Sequence, residues 1–142
     1  MFLKRPELFH GQSIKRPFFE GWYHKMSCVN GESIVIIPGI YRSGVSDNET
    51  AFLMLYQGSN GQVDYIAYDV NEFECNPKSY ELQLGNNFFS LNKLSLNFQN
   101  ERVKVYGDIT ANNLKPWPVN LLERGCMGWY GYVPTMECFH GI

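Results

Sequence analysis

The chain has 142 residues, 44% hydrophobic and 18% charged, enough for one domain with a buried core and too few for two. Twelve Lys and Arg against fourteen Asp and Glu leave a formal net charge of -2 with no block of like sign, which argues against nucleic acid as a partner and against an anionic membrane surface. Ten Phe, nine Tyr and three Trp make up 15% of the chain, more than ordinary core packing needs, so the rings are expected to enclose something bulky and apolar.

From the amino terminus, Met1 to Glu7 carries charges where a secretory signal needs an apolar run, and the longest purely aliphatic stretch is only Ile34 to Ile37. A cytoplasmic protein with no transmembrane segment is expected. Short runs of alternating apolar and polar residues then follow one another. Tyr80, Leu82 and Leu84 alternate with Ser79, Glu81 and Gln83, and Leu94, Leu96 and Phe98 alternate with Ser95, Asn97 and Gln99. A period of two turns one face inward. Val103 and Val105 against Arg102 and Lys104 follow the same rule. Asn30-Gly31, Asn60-Gly61, Gly85-Asn86 and Asn100-Glu101 separate such runs, and the Asn-Gly pairs tolerate the positive φ of tight hairpins. Runs near 21–29, 33–40, 51–57, 62–70, 79–84, 87–91, 93–99 and 102–109 predict about eight antiparallel strands, the number at which a closed barrel holds one small ligand. No stretch of helical spacing escapes Gly or Pro, so the class is all-β, a barrel or two packed sheets.

After Thr110 the character changes. Asn112 to Pro118 contains two prolines and reads as a loop with a trapped indole. The glycine-rich aromatic stretch that follows, ending at His140-Gly141-Ile142, reads as a segment that pairs with something downstream. Residues 1–142 are accordingly expected to be the front part of a larger two-part β protein, with exposed strand edges that favour association. Cys28, Cys75, Cys126 and Cys138 are scattered without a C-x-x-C pair and are expected to be reduced thiols. Asn48-Glu49-Thr50 fits a glycosylation pattern that carries no chemistry without a secretory signal.

Three constellations could carry chemistry. In Arg16 to Lys25, a strand would place Glu20, Trp22 and His24 on one face, and desolvation among aromatic rings would make Glu20 a proton donor. The plainer reading pairs Glu20 with Arg16 or Lys25. In Pro134 to Gly141, Glu137 and His140 have half of a di-iron spacing with no second half, so no metal is expected; either residue reads as an acid, base or hydrogen-bond donor at a cavity mouth, or equally as a polar group satisfied by backbone. Third, Gly21-Trp22-Tyr23 and Gly128-Trp129-Tyr130 repeat one triplet, a candidate floor built from both ends of the chain. No serine-hydrolase elbow, P-loop or dinucleotide turn is present and no cofactor is expected, which leaves the handling of an apolar ligand.

Phe18-Phe19-Glu20-Gly21-Trp22-Tyr23, together with Met127-Gly128-Trp129-Tyr130 running through Val133-Pro134 into Met136-Glu137-Cys138-Phe139-His140-Gly141, resembles the tocopherol cyclase family and its bacterial relatives. The resemblance spans nearly the whole chain and the amino-terminal half of the family's length. It implies a lipocalin-like antiparallel β-barrel and acid-catalysed cyclisation of a prenylated quinol to a chromanol, an intramolecular lyase or isomerase type of reaction. Such a reaction needs a proton delivered to an alkene and a phenolic oxygen beside the resulting cation, and a dry aromatic cavity serves both. Glu20, Glu137 and His140 are the implied catalytic candidates. Trp22, Tyr23, His24, Trp129, Tyr130 and Tyr132 would line the site. The family's carboxy-terminal half, with an acidic Asp-Trp-Gly block, would be the missing partner. The alternative is a non-catalytic binder or carrier of a prenyl lipid or other hydrophobic small molecule.

Overall fold

The computed structural model describes residues 7–14, 17–44, 49–116, 120 and 122. Among them the chain forms ten strands: β1 (Phe18–Gly21), β2 (His24–Ser27), β3 (Ser33–Arg42), β4 (Glu49–Gln57), β5 (Val63–Tyr68), β6 (Phe73–Cys75), β7 (Glu81–Leu84), β8 (Asn87–Ser90), β9 (Lys93–Gln99) and β10 (Lys104–Thr110). They make two five-stranded antiparallel sheets. The first runs β1-β3-β4-β5 with β2 also on β3, and the second runs β10-β9-β8-β7-β6. The all-β, antiparallel expectation holds. No ladder joins the two sheets among the described strands, so the closed barrel is not seen in them.

One strand, β6, falls in none of the predicted runs, and two local features account for the changed bounds of two others. The run expected at 21–29 is two strands, yet Gly21 faces Gly39 and His24 faces Ile36 on one continuous register. The interruption lies opposite Pro38. The Trp22 amide donates to the Pro38 carbonyl at 3.0 Å, and Pro38 has no N–H with which to return the bond. The run expected at 62–70 ends at Tyr68 because Asp69 caps a short 3-10 turn, Val70–Glu72. Its carboxylate accepts from the Asn71 amide at 2.9 Å while Glu72 accepts from the Asp69 amide at 3.1 Å. That reciprocal cap carries the chain from the first sheet to β6 of the second. Two Asn-Gly turns form as expected, with φ of 89° at Gly31 and 71° at Gly61.

The core lies between the sheets. Ile36, Ala51, Leu53 and Leu55 of the first pack with Leu82, Leu84, Phe89, Leu94, Leu96 and Phe98 of the second. Polar ties also cross this core. Asn87 donates to the Tyr68 hydroxyl at 3.2 Å and to the Leu84 carbonyl at 3.0 Å, and its own carbonyl accepts from the Asn97 amide at 2.8 Å. Buried Asp64 accepts from Asn100 at 2.9 Å and Gln62 at 2.6 Å and pairs with Arg102 at 2.8 Å. The Asn100 and Gln62 donors, and then Arg102, hold its carboxyl below the usual carboxylate range.

The outward face of the first sheet is apolar as well. Phe19, Tyr23, Tyr41, Tyr56, Val63 and Tyr65 project from it, and Lys25 is the one charged side chain at its described strand positions. Phe52 stacks between Phe19 at 5.8 Å and Tyr65 at 5.7 Å. It lies over Gly39, where a Cβ would overlap both its ring and the Glu20 carbonyl. A Gly39→Val substitution is expected to lower the unfolding free energy by about 1–3 kcal/mol through overpacking. Gly44→Val, which meets no atom, serves as the control. Equal urea midpoints for the two variants would contradict the packing.

Candidate functional site

Burial alternates without interruption from Phe18 to Ser27, straight through the Pro38 break. Phe18, Glu20, Trp22, His24 and Met26 therefore share the inward face, as the period of two requires. Tyr23 points the other way and is 60% exposed, so it belongs to the outer face and not to the wall of an interior site.

The inward face meets the second sheet ring against ring. Trp22 stacks on Tyr80 at 5.6 Å and lies 6.2 Å from Phe73. His24 stacks on Tyr80 at 5.8 Å and on Phe89 at 5.6 Å. Its Nε2 shares a 2.6 Å hydrogen bond with the Tyr80 hydroxyl. Burial lowers the His24 pKa from 6.5 to about 4, leaving the imidazole neutral at physiological pH. Burial, reinforced by the nearby Cys75, raises the Tyr80 hydroxyl above its ordinary value. Burial first and the Glu20 charge second push the Cys75 thiol up to about 12, which leaves almost no thiolate for nucleophilic chemistry. The pair His24 and Tyr80 can accordingly hold a hydrogen bond in an aromatic setting but supplies no charge.

The segment from Glu7 to Ile14, which forms neither helix nor strand, crosses the same face as a strap. Trp22 Nε1 donates to the Glu7 carbonyl at 3.1 Å. Phe9 lies 6.1 Å from Phe18, 6.2 Å from Trp22 and 5.4 Å from Phe73. Glu20 accepts from the His10 amide at 3.0 Å, and its other oxygen is 2.7 Å from His10 Nδ1. Among the described residues the Glu20 partner is thus His10 and not Lys25, which faces outward; Arg16, the other expected partner, lies outside the described residues. Arg42 secures the far end, donating to the Ile14 carbonyl at 2.9 Å with its guanidinium 5.9 Å from the Phe9 ring and 5.6 Å from the Phe18 ring.

Of the expected site residues, Glu20, Trp22 and His24 converge. Glu137, His140, Trp129, Tyr130 and Tyr132 lie outside the described residues, as do Cys126 and Cys138. Cys28 and Cys75 are free thiols. Among the described residues no three His, Cys, Asp or Glu side chains gather as a metal site requires, and no helix is long and apolar enough to cross a membrane. A shallow groove of about 410 Å³ on the second sheet is lined by Glu74, Cys75, Asn76, Pro77, Glu81, Gln83 and Phe88. Phe9, His10, Phe73 and Tyr80 are partners that sequence reasoning did not assign to the site. Tyr80 carried an inward-facing alternation signal. Phe9 and His10 sit in a segment without periodicity, where no local pattern announces a long-range contact.

No family model, curated protein or solved structure matches the chain.

The depressed His24 value sets a pH dependence. Protonation is favoured in the unfolded chain, where the ordinary value of 6.5 applies, so stability is complete above that pH and is lost as pH falls toward about 4. The interval corresponds to roughly 3 kcal/mol. Urea titrations of wild type and His24→Gln across this window are expected to show a shallower pH slope in the variant. Parallel slopes would mean that His24 is not the buried titrating group.

Proposed function

We propose that the chain is a tocopherol cyclase-like protein of lipocalin-like type, acting on a prenylated quinol between its two sheets. The observation that carries the reading is the inward face of β1 and β2, where Glu20, Trp22 and His24 stand in line against Phe73, Tyr80 and Phe89. Aromatic walls would stabilise a developing carbocation and exclude competing water. In the reaction a proton adds to the alkene carbon, the phenolic oxygen bonds to the resulting cation, and the phenolic proton returns to the base. Substrate and product are isomers, so the chemistry needs no net electron transfer.

The hydrogen-bonded Glu20 and His10 are the described groups suited to exchange that proton, while neutral His24 and Tyr80 are suited to hold a phenolic hydroxyl. Glu137 and His140 remain part of the proposal as a second proton-handling pair. Trp129, Tyr130 and Tyr132 remain proposed wall residues. The apolar outward face of the first sheet supports a covering protein partner, in this reading the family's carboxy-terminal half. A cytoplasmic location belongs to the same proposal.

A second reading, binding or carrying of a prenyl lipid without reaction, is favoured by one observation. Both Glu20 oxygens are already engaged by His10. Incubation with a prenylated hydroquinone separates the two readings. The cyclase reading expects a chromanol of unchanged mass, and at saturating substrate Glu20→Gln is expected to lower its formation by about 100-fold or more. Saturable binding with no chromanol on long incubation would leave the carrier reading in its place.

A further inference from the structure

Phe9 sits among the rings that the functional reading assigns to a ligand, in edge contact with Phe18 and Phe73 and tilted against Trp22. Beside it, Glu20 accepts one hydrogen bond from the His10 backbone and shares another with His10 Nδ1. A ring in an aromatic slot with N–H donors on an adjacent half-buried carboxylate reproduces the outline of an aryl group bearing a hydrogen-bond donor. We propose that the strap from Glu7 to Ile14 is the resident occupant of this site, and that an aryl ligand binds by displacing Phe9 and His10. The inference rests on the ligand-handling reading above and adds its regulation.

Three features favour displacement over a lid that closes on top of a ligand. Phe9 fills the slot instead of roofing it. The bonds described above join the strap to the side chains of Trp22, Glu20 and Arg42, not to a strand ladder, so releasing it dismantles no sheet. Gly11 lets the strap close, because a Cβ there would overlap the rings of Phe18 and Phe9. Displacement also sets a ligand preference. Once His10 leaves, the Glu20 carboxylate needs new donors, so a ring hydroxyl is favoured over its methyl ether by about tenfold or more.

Gly11→Val is the direct test, since it obstructs the strap and changes no wall residue. Wild type and variant, checked for folding by circular dichroism, are titrated with a prenylated hydroquinone and with its dimethyl ether, following tryptophan emission. The variant is expected to bind the hydroquinone at least tenfold more tightly than wild type. Both proteins are expected to prefer it to the ether, and Glu20→Gln to lose that preference. In wild type the hydroquinone is expected to accelerate amide hydrogen exchange across residues 7–14. Equal affinities in wild type and variant, or slower exchange in the strap on binding, overturn displacement while leaving ligand handling intact. Binding of neither probe to either protein overturns both. Should Gly11→Val fail to fold, Phe9→Ala removes the occupying ring directly, and an unchanged affinity there overturns the proposal equally.

Discussion

The contact of Trp22 and His24 with Tyr80 is the constraint around which the domain is organised. It joins the first strands of one sheet to the approach to β7 of the other through two ring stacks and a buried hydrogen bond. Aromatic pairs of this kind contribute about 0.5–1.5 kcal/mol each beyond the area they bury. The bond adds direction that stacking lacks, since a buried hydroxyl and imidazole are each costly to leave without a partner. The neutrality of His24 follows from its position, because a charged imidazole among Tyr80 and Phe89 would lose its hydration without gaining a counter-ion there.

Much of this was legible in the sequence where periodicity carried it. The alternation of Tyr80, Leu82 and Leu84, and of Leu94, Leu96 and Phe98, appears in the structure as buried residues on one side of the second sheet. The common face of Glu20, Trp22 and His24 was equally readable, and it survives the Pro38 interruption because losing one ladder bond does not change which way the next side chain points. The corner at Asp69 was harder to read. Val63 to Val70 reads as one run of β-favouring residues, and the reciprocal cap between Asp69 and Glu72 ends the strand at Tyr68. The strap was invisible to periodicity. Its partners lie ten or more residues away, as with His10 and Glu20, Glu7 and Trp22, and Ile14 and Arg42. Tyr23 shows the limit of a motif. It adjoins Trp22, and that adjacency places it on the opposite face.

The polar groups sort by the company they keep. Asp64 and Asn87 are buried with partners for their side-chain atoms and serve as ties between sheets or within them. Glu20 differs, because its donors come from the strap and not from a strand. A carboxylate held by a segment outside either sheet can lose its partners without breaking the core, and this is the feature on which the proposed chemistry rests.

The most direct test of the account is a double-mutant cycle across the sheets. His24→Phe and Tyr80→Phe each keep a ring in the stack and remove one partner of the 2.6 Å bond. The account predicts a coupling of about 1–2 kcal/mol in unfolding free energy, with the double variant less destabilised than the sum of the single ones. Strict additivity would contradict it, because the bond proposed to orient the two sheets would then contribute nothing specific.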